Sequence, residues 1–150
     1  MKVYFKDLSQ GWVNLTIDYQ GNPILQDSVS YTPYDSFGDL VDTLHMMYLV
    51  KNTVEKKVIF NAEPYEYEFT FTKNDKNIDL EIIGYPDYRR SAKAEHIWSR
   101  SGSLEEICKP FWRSLRTLQG EHSPEELNQL WHRWFPSKDL DLLSKLVKNA

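Results

Sequence analysis

A chain of 150 residues, 41% hydrophobic and 14% aromatic, is long enough to close one core without disulfides or metals, and its composition excludes a disordered polymer. A formal charge of −4 argues against nonspecific nucleic-acid binding, which depends on a basic surface. The single cysteine, Cys108, excludes an intrachain disulfide and a cysteine-based zinc site, and no apolar run approaches the roughly 20 residues of a membrane span or a signal peptide, so a cytoplasmic single-domain protein is expected.

In chain order, Trp12 to Tyr19 alternates Val13, Leu15 and Ile17 with Asn14, Thr16 and Asp18, a period of two that marks a half-buried strand. Gly21-Asn22-Pro23 breaks it, and Ile24 to Tyr31 returns antiparallel, which makes the first third a hairpin. Asp35 or Ser36 then caps a helix whose apolar stripe is Phe37, Leu40, Val41, Leu44, Met47 and Tyr48. This helix should cross the sheet and end near Asn52.

Pro64 to Thr72 is the plainest strand, with Tyr65, Tyr67, Phe69 and Phe71 on one face and Glu66, Glu68, Thr70 and Thr72 on the other. If Lys73 to Lys76 forms the turn, Phe71 faces Ile78, Phe69 faces Leu80 and Tyr67 faces Ile82. Upstream, a turn over Asn61 to Pro64 pairs Phe60 with Tyr65 and Val58 with Tyr67. On the outer face this register predicts one row of Lys57, Glu68 and Glu81 and a second of Ile59, Glu66 and Ile83. Ile59 and Ile83 imply that part of that face is covered.

Tyr85 to Ser91 reads as a loop and Ala94 to Ser99 as a last strand, whose inward set is either Ala94, His96 and Trp98 or Glu95, Ile97 and Ser99; alternation does not choose. From Ser103 the period becomes helical. Ser103 and Glu106 form a capping box, Leu104, Ile107, Cys108, Phe111, Trp112, Leu115 and Leu118 the buried stripe, Pro110 a bend and Gly120 the end. Ser123-Pro124-Glu125-Glu126 starts a further helix through Leu127, Leu130, Trp131 and Trp134, stopped by Pro136, and Asp139 to Lys148 supplies a short final one. The expected fold is α+β: an antiparallel sheet of about six strands, as a hairpin plus a meander, with one crossing helix and two to three C-terminal helices.

Candidate chemistry is sparse. Of the four histidines, His45, His122 and His132 have ordinary structural readings, as a boundary residue, a solvated turn residue and a helix residue. None stands at metal-ligand spacing from another, so no metal is expected. Neither a nucleophile elbow nor a phosphate loop occurs, and no cofactor is expected. Cys108 lies on an apolar stripe and reads as a buried structural thiol rather than a nucleophile. Arg89, Arg90, His96 and Arg100 could line an anion pocket of an enzyme or small-anion binder; the competing reading is a charged edge strand protected from pairing. Glu66, Glu68, Asp79 and Glu81 form the densest acidic patch, better suited to a solvated docking face for a basic protein than to catalysis, since a flat strand face provides no cleft.

Ser30 to Leu40, followed by Phe60 to Tyr67, resembles small uncharacterised bacterial proteins, some of them immunity partners of polymorphic toxins. The resemblance implies a binding role and carries no catalytic residue. The expectation is therefore a non-enzymatic protein-binding module with a protein partner, without nucleic acid or membrane, docking through the outer sheet face; the oligomeric state is left open.

Overall fold

A computed structural model describes residues 1–90 and 92–150. Seven strands form one antiparallel sheet in sequence order: β1 (Lys2–Ser9), β2 (Trp12–Tyr19), β3 (Asn22–Ser30), β4 (Val54–Asn61), β5 (Glu66–Asn74), β6 (Asn77–Tyr85) and β7 (Glu95–Gly102). The helices are α1 (Ser36–Leu49) between β3 and β4, and then α2 (Leu104–Ile107), α3 (Lys109–Glu121), α4 (Pro124–Trp131) and α5 (Ser137–Lys148). The α+β class holds, with one strand more than the six expected.

The added strand is β1, whose buried Val3 and Phe5 alternate with Lys2, Tyr4 and Lys6. It joins β2 through Gln10-Gly11, both at positive φ, and β2 joins β3 through Gln20-Gly21 in the same way. Paired positive φ values are the backbone of a two-residue hairpin turn whose twist matches the strands. Gly11 is required for a second reason: a Cβ there would stand 2.4 Å from the Tyr31 ring, and its amide donates to Leu130 O at 2.8 Å.

The meander register differs from the expected one by two residues. Phe71 pairs with Leu80, Phe69 with Ile82 and Tyr67 with Gly84, while on the other side Phe60 pairs with Tyr67 and Val58 with Phe69. Strand pairing continues to Asn74 opposite Asn77, so the turn is tighter than four residues. A shift of two preserves every face assignment, because the side-chain period is two. The inward residues are therefore as expected, but the rows on the outer face change.

The seam between β3 and β4 is a single pair, Ser30 with Asn61. Beyond it the sheet curls, so that Trp98 of β7 meets Tyr19 of β2 at 5.4 Å and the Tyr67 hydroxyl donates to Asp27 at 2.6 Å. The helices fill the concave face. Phe37 of α1 packs on Phe5 and Trp131, and Phe111 of α3 on Phe69 and Phe71. These rings are fully buried or nearly so, and burying each contributes about 1.5–3 kcal/mol.

Asp35 caps α1, its side chain accepting from the Gly38 amide, and the helix ends at Leu49, three residues short of Asn52. The bend expected near Pro110 divides the helical path into α2, ending at Ile107, and α3, beginning at Lys109, with Cys108 between them still at helical φ and ψ. The expected capping box of Ser103 with Glu106 is present, and the helix start at Ser123 carries a second one with Glu126. His122 is half-buried beside Glu126 rather than solvated. Helix α4 stops at Trp131 because His132 takes a left-handed φ of 63°, and Trp134, expected on its core face, is 82% exposed. On β7 a bulge between the Ile82 and Ile83 pairings leaves Ile97 unpaired, and both Ile97 and Trp98 pack on the core. Neither alternating set was correct, because a bulge interrupts alternation. Ser91, the end of the predicted loop, lies outside the described residues.

Candidate functional site on the outer sheet face

The convex face of the meander consists of four rows set by strand pairing. Glu55, Thr72, Asp79 and Ser101 form the first, and Lys57, Thr70, Glu81 and Ser99 the second. Ile59, Glu68, Ile83 and His96 form the third, and Asn61, Glu66 and Tyr85 the last. Glu68 thus lies between two isoleucines, not beside Glu81.

The last two rows are covered except at the β7 end, where His96 is exposed. Glu66 is 1% exposed and Glu68 5%, which corrects the expectation that both belong to a solvated acidic face. The cover is the segment after β6, which returns Arg90 onto the sheet. Its guanidinium lies 2.8 Å from Glu68 Oε2 and 3.8 Å from Glu66 Oε1, and stacks 3.9 Å from the centre of the Tyr85 ring. Lys57 approaches Glu68 Oε1 at 3.3 Å. The Tyr34 hydroxyl donates to Glu66 Oε2 at 2.6 Å, and burial together with this bond pushes its phenol up to about 12. Ile59 and Ile83 are half-buried beside this cluster, in line with the cover expected over part of the face.

The first two rows are open. They border a shallow depression of about 560 Å³ whose walls include Glu55, Thr70, Thr72, Asp79, Glu81 and Ser99. Asp79 accepts from Asn77 at 2.9 Å and from Ser101. Among the described residues, Glu55 and Glu81 have neither an ion pair nor a side-chain hydrogen bond. Arg100 also borders the depression, but its guanidinium is committed to Glu106 at 3.1 Å and lies over the Tyr19 ring at 4.5 Å. The Ser103 amide and this guanidinium hold the Glu106 carboxyl below the usual range.

The four predicted acids therefore divide into a buried pair, Glu66 and Glu68, and an accessible pair, Asp79 and Glu81. Arg89, Arg90, His96 and Arg100 are not brought together. Arg90 serves the covered rows, while Arg100 pairs with Leu80 of the inward face. Arg89 contacts Tyr88 at 3.0 Å, and His96 contacts Ser99 at 3.2 Å. Glu55, Tyr34 and Tyr85 were missed as site residues. The period-two series Glu55, Lys57 and Ile59 on one strand face held the signal for the first; the other two depend on loops whose path no periodicity gives. Cys108 is fully buried, and burial pushes its thiol up to about 12.

Among the described residues no group of three or more His, Cys, Asp or Glu side chains is close enough to hold a metal ion, and no helix is long and apolar enough to cross a membrane. Against protein-family models, curated proteins and solved structures, the chain gives no match.

Proposed function

We propose that the chain is a non-enzymatic, cytoplasmic protein-binding module of the immunity type, docking a basic protein through the open half of the outer sheet face. One observation carries this reading: the depression over the first two rows presents Glu55 and Glu81 without internal counter-charges, beside threonine and serine hydroxyls. Acids arranged in this way steer a basic partner and select against acidic ones. The chain's net charge of −4 acts in the same direction.

The docking surface is therefore Glu55, Asp79 and Glu81 rather than Glu66 and Glu68. A test uses a basic protein of known structure, such as hen lysozyme, as a charge probe. Binding at low salt should weaken by more than tenfold at 0.5 M salt and be lost in the triple variant Glu55→Lys, Asp79→Lys, Glu81→Lys. Unchanged affinity in that variant would refute the face. An anion-binding or enzymatic role for Arg89, Arg90, His96 and Arg100 has no converging geometry to favour it.

A further inference from the structure

We propose that the cavity beside Glu66 binds an alkylammonium group, carried by a small primary amine or by a lysine side chain, and that Glu66 recognises its charge. The cavity measures about 320 Å³ and is walled by Pro33, Asn61, Glu63, Pro64, Glu66 and Tyr88. It is separate from the open depression, with which it shares no wall residue.

Glu66 has no hydrogen-bonded counter-charge. It is 1% exposed, its Oε2 accepts only the neutral Tyr34 hydroxyl, and its Oε1 has no hydrogen-bond partner. The nearest cation, Arg90, stands 3.8 Å away, beyond hydrogen-bond reach, because its guanidinium is engaged with Glu68 at 2.8 Å. Lys57 is likewise engaged with Glu68. Both cations thus bond Glu68, and Glu66 is left with the Tyr34 phenol and the longer ion pair to Arg90. A buried carboxylate is costly unless a hydrogen-bonded counter-charge meets it.

The remaining walls cannot supply that counter-charge. Asn61 donates to Thr32 O at 2.7 Å and accepts from the Glu63 amide at 3.0 Å, which occupies both ends of its side-chain amide. Glu63, exposed in the same wall, adds a second carboxylate with no ion pair among the described residues. Pro33, Pro64 and the Tyr88 ring, 64% exposed, offer apolar walls for methylene groups. An apolar stem with a cationic head matches this combination.

The test titrates the full chain at neutral pH and low salt with n-butylammonium and with Nα-acetyl-lysine methylamide, using n-butanol as the uncharged control. Saturable binding of an ammonium probe, none of butanol, and at least tenfold weaker binding to Glu66→Gln are expected. Tighter binding of the lysine amide assigns the site to a polypeptide side chain; tighter binding of butylammonium assigns it to a free amine. Intermolecular NOEs from probe methylenes to the Tyr88 and Pro64 rings of the unmutated protein locate the site without depending on any variant. Failure of both ammonium probes to saturate, NOEs confined to other surfaces, or undiminished binding to a folded Glu66→Gln variant would overturn the proposal.

Discussion

Lys73 occupies the inward position after Phe71 on β5, where alternation calls for an apolar side chain, and it is only 7% exposed. Its ammonium donates to Met47 O and Val50 O, each at 2.6 Å, at the C-terminal end of α1. Those carbonyls have no partner further along the helix, and a cation also complements the dipole there. Lys73→Met keeps the stem but leaves the carbonyls unsatisfied, and should lower the unfolding free energy by about 2 kcal/mol in urea titration. Arg90→Ala tests the other buried charge cluster. Because Arg90 is 33% exposed, the expected loss is about 2 kcal/mol, below that of a fully enclosed pair, and increased proteolysis within 86–94 should accompany it. Stability equal to the parent's would contradict the anchoring role.

At the scale of elements, the conserved quantity between expectation and structure is the face, not the pairing. Ile78, Leu80 and Ile82 point inward in either register, so hydrophobic alternation could not distinguish registers two residues apart. The deciding features are the length of the turn before Asn77 and Gly84, which pairs with Tyr67. A Cβ at Gly84 would stand 2.0 Å from the Tyr65 hydroxyl, which donates to Glu95 at 2.8 Å. Gly84→Ala should therefore displace Tyr65 and cost about 1–3 kcal/mol, seen as a lower thermal midpoint. Strand β1 was legible in principle: Gln10-Gly11 repeats Gln20-Gly21, and the preceding residues alternate. The covering of Glu66 and Glu68 was not legible, since it depends on where an irregular segment returns.

For the whole molecule, several groups are held protonated by the fold. Burial pushes the Cys108 thiol and the Tyr48 phenol up to about 12, and Tyr34 and Tyr65 rise to about 12 through burial and hydrogen bonds to Glu66 and Glu95. In each case the folded pKa exceeds the unfolded value of 9.0 or 10.0. Between those limits the folded state binds more protons, so stability is complete below about pH 9 and falls as pH rises towards 12. Denaturant midpoints should decline steadily over that interval; a flat profile would refute this linkage. Cys108 should also resist a thiol reagent at pH 8 until the chain unfolds.

The outer face joins these scales, because a loop arginine closes two of its rows while two remain open. Backbone amide NMR during titration with hen lysozyme at low salt examines that division directly. Saturable shifts should cluster at Glu55, Thr70, Thr72, Asp79, Glu81 and Ser99 and vanish at 0.5 M salt. Shifts confined to the helical side of the sheet, or none at any residue, would contradict it.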